Sequence, residues 1–196
     1  MKLVILDSDG TINAERDGFV QSADDWQPLP GALEAIARLN HAGYHVVIAA
    51  NMPGLGRGLF DMAALNAIQS RMNKQLAAAG GRIEAVFFCP HTPDEGCACR
   101  KPLPGLMQQI GERYKVDLSQ VHAVGDSVRD AQAAAAAGCM PHLVLTGKSA
   151  PAQPGPLPPE FPPGTRVHAD LMAFVDALIG ASEPVPLDDA AQPAPV

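Results

Sequence analysis

Short, unbroken apolar runs alternate with helical segments through the first 145 residues, and few folds accommodate that alternation. Residues 3–6, 44–50, 83–88, 121–124 and 142–145 read as five strands. Apolar runs of this length suit strands buried on both faces. Between them, residues 32–41, 61–79, 106–114 and 129–137 read as helices, the first with an apolar stripe of Leu33, Ile36, Ala37 and Leu39. Gly43, the Gly80-Gly81 pair and Gly138 stand where these helices must stop. Strand–helix alternation of this kind implies right-handed crossovers and an α/β fold, a doubly wound, Rossmann-like parallel sheet. In such sheets ligands bind at the carboxyl ends of the strands. Residues 1–180 therefore read as one domain, with a proline-rich surface loop at 151–165, a last short helix at 171–179 and a disordered tail at 181–196.

The formal net charge of −7 argues against nucleic acid or an anionic membrane as the main partner. No apolar run approaches the length of a membrane span. Asp7 and Asp9 interrupt the N-terminus too early for a signal peptide. The expectation is a cytoplasmic monomer acting on a small molecule.

The chemistry gathers at strand ends. Asp7 and Asp9 follow the first strand one residue apart, on the same side of an extended chain, so both carboxylates reach one site. Gly10 permits the sharp turn that follows. Carboxylates this close repel unless a cation lies between them, and Mg²⁺ prefers such hard oxygen ligands. Asn51 closes the second strand, Lys101 follows the third, and Gly125-Asp126-Ser127-x-x-Asp130 closes the fourth. Cys89, His91, Cys97 and Cys99 fall within eleven residues. Three sulfurs and a nitrogen suit a closed, structural Zn²⁺ site, with a disulfide or free thiols as the alternatives. Cys139 reads as a small buried residue, and His41, His45, His122, His142 and His168 as structural or exposed.

In this order the motifs resemble those of the haloacid dehalogenase-like hydrolases over about residues 1–150. Within that superfamily the chain is similar to the histidinol-phosphate phosphatase group, sugar-bisphosphate phosphatases among them. The likeness rests on the stretch from Asp7 to Asn13, Gly54-x-x-Arg57-Gly58, Cys89-Pro90-His91, the run from Cys97 to Pro102, and Gly125-Asp126. It implies a Mg²⁺-dependent phosphomonoesterase with a structural zinc loop at 89–99, no separate cap domain and a sugar phosphate substrate. Asp7 would be the nucleophile that forms an aspartyl-phosphate, and Asp9 the acid and later the base. The Asp7 carboxylate, the Asp9 carbonyl and the Asp126 carboxylate would hold Mg²⁺. Lys101 would stabilise charge on the transferring phosphoryl group. Asp130 would orient these groups rather than ligate the metal. The implied substrate loops are Arg16, Asp17 and Gly18, then Asn51, Met52 and Pro53, with Arg57 and Arg100 beside them.

The chain departs from the family pattern inside the site. Ser8 stands where relatives carry arginine, and Ala50, Met52 and Pro53 where they carry threonine, glutamine and serine. Ala50 offers no hydroxyl, and Pro53 has no N–H. The backbone amides at 51 and 52 are the expected replacements. A cation and three polar side chains are lost around one phosphate, which points to retuned specificity. The competing expectations are a weakened enzyme, a phosphatase for histidinol phosphate or a small sugar monophosphate, a phosphotransferase, and a non-catalytic phosphate-binding module.

Overall fold

Strand β1 (Lys2–Leu6) lies in the middle of a six-stranded sheet in a computed structural model that describes residues 1–149 and 156–181. Its residues are apolar without a break because each face meets a separate core. Val4 and Leu6 point into one hydrophobic cluster, Leu3 and Ile5 into the other. Helix α1 (Ala32–His41), β2 (Tyr44–Asn51), the single turn α2 (Pro53–Gly56) and α3 (Met62–Ala78) follow in the chain. Then come β3 (Ala85–Cys89), α4 (Gly105–Tyr114), β4 (His122–Gly125), α5 (Val128–Ala137), β5 (Met140–Val144), β6 (Arg166–His168) and α6 (Leu171–Gly180). Helices α1, α3 and α6 cover the first face through residues such as Ile36, Leu76 and Phe174. Helices α4 and α5 cover the second through Leu106, Ile110 and Ala133.

The strand order is β3-β2-β1-β4-β5-β6, and every pairing is parallel. The chain runs outward from β1 to β2 and β3, then returns to pair β4 with β1 on the other side. That reversal opens a crevice at the carboxyl ends of β1 and β4, where open sheets of this kind bind ligands. Local chemistry sets the helix ends. The Asp61 carboxylate accepts the Ala64 N–H at the start of α3, and Ser127 with Asp130 forms a capping box at the start of α5.

The described residues confirm the doubly wound α/β reading and correct its details. A sixth strand, β6, follows the proline-rich segment, where Arg-Val-His is too short and too polar to signal itself. Strand β5 begins at Met140 rather than residue 142 and runs through Pro141, one residue before its pairing with β6 begins. Asp61 caps α3 instead of belonging to it. Three of the histidines form a stack across β4, β5 and β6. His122 Nδ1 lies 2.9 Å from His142 Nε2, and His142 Nδ1 lies 3.0 Å from His168 Nε2, with the Phe174 ring against all three. Among the described residues no further folded unit interrupts the sheet, and no helix is long and apolar enough to cross a membrane. Readings for residues 150–155 and 182–196 lie outside the described residues.

Candidate active site

The turn after β1 is built to present two carboxylates. The Asp7 N–H still donates to Val124 O at 2.9 Å, which keeps Asp7 beside β4. The Ser8 carbonyl then accepts the N–H groups of Thr11, Ile12 and Asn13 at 3.2, 2.8 and 3.2 Å. Gly10 adopts φ +81°, and a Cβ there would lie 2.4 Å from Asp126 Oδ2, so side chain and backbone both require glycine. Asn13 Nδ2 donates to Asp9 Oδ1 at 2.8 Å and fixes that carboxyl.

Lys101 enters from the loop after β3 and is 4% exposed. Its Nζ lies 2.7 Å from Asp7 Oδ1, 2.6 Å from Asp130 Oδ1 and 2.8 Å from Ala49 O. Asn51 grips the Lys101 backbone from both sides, donating to its carbonyl and accepting from its N–H, each at 3.0 Å. The other Asp130 oxygen accepts Ser127 N–H at 3.0 Å and Ser127 Oγ–H at 2.6 Å. Asp126, 1% exposed, accepts the Lys148 N–H at 2.6 Å, and Thr146 Oγ1 donates to Gly10 O at 2.6 Å. The loop after β5 thus braces the turn after β1.

Burial pushes the Asp7 carboxyl up to about 7, reinforced by Asp130 and Asp126 and opposed by Lys101. Burial likewise raises Asp126 to about 6 and lifts Asp9 above the ordinary carboxylate range. Burial alone would lower the Lys101 ammonium, but Asp130 and Asp7 overcome it and hold the charge. Asp130 is pulled below the usual range, since Lys101 outweighs the cost of burying it.

Two clusters have the donor sets of metal sites. Carboxylate oxygens of Asp7, Asp126 and Asp130 lie within 4.8 Å of one another, a hard-oxygen set suited to Mg²⁺. All three line the crevice, and Asp130 has both of its oxygens engaged, one by Lys101 and the other by Ser127. The second cluster is Cys89, His91, Cys97 and Cys99, also within 4.8 Å. Cys89 Sγ stands 3.4 Å from His91 Nδ1 and 3.6 Å from Cys97 Sγ, with His91 Nδ1 3.3 Å from Cys99 Sγ. These separations are near the ~3.8 Å edge of a tetrahedron with metal–sulfur bonds of ~2.3 Å, and all four cysteines are free of disulfides.

A crevice of about 260 Å³ lies over Asp7, Asp9, Lys101 and Asp126. Arg16, Pro53, Arg57 and Arg100 line it as the sequence suggests, but Asp17 and Gly18 are exposed and do not. Asn51 borders the crevice with its amide turned to Lys101, and Met52 faces a separate apolar space. The Met52 N–H donates to Cys89 O at 2.8 Å, so it is not the phosphate donor expected in place of a threonine hydroxyl. Residues missed in the sequence also line it. Arg129 was hidden inside a recognised motif, whereas Phe19 and Lys148 come from irregular loops without a pattern; Glu15, in the expected loop at 15–18, lines it too.

A carboxylate pair, a buried lysine and a third carboxylate at the switch point of a parallel sheet define a phosphoryl-transfer hydrolase of the α/β class. The chain belongs to the haloacid dehalogenase-like hydrolases, whose family model matches residues 3–138. It is 56% identical over 181 residues to D-glycero-beta-D-manno-heptose-1,7-bisphosphate 7-phosphatase of Bordetella bronchiseptica, covering 91% of this chain and 98% of that protein. The enzyme of the same name from Pseudomonas aeruginosa is 46% identical over 90% of this chain and 97% of its own length. Among solved structures, D,D-heptose 1,7-bisphosphate phosphatase from B. bronchiseptica, complexed with magnesium and phosphate, superposes with a TM-score of 0.86. That match has 55% identity and covers 92% of this chain and 99% of the other.

Proposed function

We propose that this chain is a Mg²⁺-dependent phosphomonoesterase that removes the 7-phosphate from D-glycero-β-D-manno-heptose 1,7-bisphosphate, a step in lipopolysaccharide precursor synthesis. The observation that carries the reading is the placement of Lys101 Nζ, 2.7 Å from Asp7 Oδ1, beside Asp126 in one crevice. An anionic nucleophile approaches an anionic ester only where positive charge is already in place. Bound between Asp7 and Asp126, with the Asp9 carbonyl, Mg²⁺ would offset that repulsion and polarise the phosphoryl oxygens.

The chain's own residues carry the steps. An Asp7 carboxylate oxygen attacks phosphorus, and the ester bond to the sugar oxygen breaks. Asp9, held by Asn13 and raised in pKa by burial, gives its proton to the departing oxygen. Asp9 then takes a proton from the water that hydrolyses the aspartyl-phosphate. Lys101 neutralises the phosphoryl charge, and Asp130 positions Lys101 from its far side. Arg57 and Arg100 are the proposed contacts for the rest of the substrate, with Arg16 shared with Asp25 at 3.0 Å. The cysteine–histidine cluster would hold a structural Zn²⁺, since four protein donors leave no open position for chemistry. The reading extends to a cytoplasmic monomer with no nucleic-acid or membrane partner.

The test is phosphate release from heptose 1,7-bisphosphate and a panel of sugar monophosphates, with Mg²⁺ or with EDTA. Turnover should require Mg²⁺ and fall by at least ~10³ in Asp7→Asn. The best substrate of the panel reports whether Ser8, Ala50 and Pro53 have retuned the site. Undiminished release by Asp7→Asn would overturn the covalent mechanism.

A further inference from the structure

Beside the anionic crevice lies a smaller cavity of about 60 Å³ with a different character. Its walls include Val20, Trp26, Ile48, Leu65, Met72 and Val86, from both the sheet and α3. The two spaces share Ser8, Asp9, Phe19 and Asn51, so they adjoin at Asp9. Asp7, Lys101 and Asp126 line only the crevice. The cavity therefore adjoins the acid that protonates the leaving oxygen, and it lies away from the groups that hold the phosphoryl end.

Of the polar side chains on its lining, the two asparagine amides are already engaged, which leaves Ser8 and Gln69 beside Asp9. Asn13 Nδ2 is turned to Asp9 and to Ala14 O, and the Asn51 amide is spent on the Lys101 backbone. A leaving group rich in hydroxyls would bury them here with few partners, at a cost that an alkyl group does not meet. We infer that this cavity is a leaving-group subsite for small apolar alcohols, and that the enzyme also hydrolyses short straight-chain alkyl phosphates. The inference rests on the phosphomonoesterase reading above and extends it to a second substrate class.

The chemistry is the same and balances without a further reactant. Asp7 bonds to phosphorus, the P–O bond to the alkyl group breaks, and its electron pair stays on the alkyl oxygen, which takes the Asp9 proton. Water then displaces Asp7 from phosphorus and returns a proton to Asp9, so ester and water become alcohol and inorganic phosphate. A water-sized group needs at least ~10–15 Å³ of such space, so the cavity holds about four, the reach of a butyl chain.

The series from methyl to butyl phosphate tests this, run beside a sugar phosphate. At full burial kcat/KM should rise about fourfold per methylene and then level off. Trp26 supplies a readout that does not depend on turnover. It is the chain's single tryptophan, it is 3% exposed, and it lines the cavity. Butylphosphonate with Mg²⁺ should shift Trp26 emission, whereas inorganic phosphate, which fills only the crevice, should not. Val86→Phe, and separately Ile68→Phe in the α3 wall of the cavity, should flatten the alkyl series while sparing methyl phosphate. If both variants misfold, the wild-type titration decides alone. A flat alkyl series and silent Trp26, with sugar phosphate still hydrolysed, would overturn the subsite and leave the phosphatase standing. No release from any ester would overturn both.

Discussion

At Lys101 one ammonium serves two carboxylates and a carbonyl in a space almost closed to water. Such a group is costly to bury and more costly to remove, because the two carboxylates lose their shared counter-charge. Lys101→Met should lose about 3–5 kcal/mol in urea unfolding and at least ~10² in kcat. Adding Asp130→Asn removes one of the stranded carboxylates, so the double variant should regain part of the stability and none of the rate. Equal stability of single and double variants would show that Asp130 and Lys101 are not coupled. The candidate side chains were legible at this scale, since Asp7, Asp9 and Asp126 follow strand ends and Lys101 stands in a recognised run. Their supports were not. Asn51 lies in a recognised motif, yet only folding reveals that its amide grips the Lys101 backbone across fifty residues of chain.

Among the elements, the central strands announced themselves because an unbroken apolar run has few uses besides burial on both faces. Strand β6 did not, because a three-residue edge strand is held by its neighbour rather than by its own composition. Strand pairing sets His122, His142 and His168 at diagonal positions on one face of β4, β5 and β6, histidines whose spacing in sequence has no meaning. Burial, with His122, His168 and Arg166 adding to it, pulls His142 from its ordinary 6.5 to about 3. The unfolded chain takes up this proton below pH ~6.5, while the fold refuses it until about pH 3. The contribution of His142 is thus complete above pH ~6.5 and is lost as the pH falls from there towards 3. Urea unfolding of wild type and His142→Gln at pH 7 and pH 5 checks this. The variant should lose less stability between the two pH values, and equal losses would assign the acid sensitivity elsewhere.

For the molecule as a whole, the family model ends at residue 138, but the fold does not. Strands β5 and β6 and helix α6 complete one face of the sheet, with Phe174 and Val175 in its core. The cysteine cluster is joined to the turn after β2 through the Met52 N–H on Cys89 O, and to the crevice through Arg100, which donates to His91 O at 3.2 Å. Metal analysis of the isolated protein should find about one zinc per chain. Cys97→Ser should lose it, lower Tm and weaken phosphate release, with added Mg²⁺ giving no rescue. A zinc-free wild-type chain with unchanged Tm would refute the structural ion. The spacing of this cysteine–histidine cluster was legible in the sequence, but the link to Met52 was not, since a backbone bond leaves no mark on residue identity. The bonds from Lys148 N–H to Asp126 and from Thr146 to the Gly10 carbonyl carry one more consequence. During synthesis Asp7 and Asp9 leave the ribosome first, yet the contacts that shape their surroundings are supplied some 140 residues later. A nascent chain therefore carries Asp7 and Asp9 long before the loop that braces them, and the crevice is completed late.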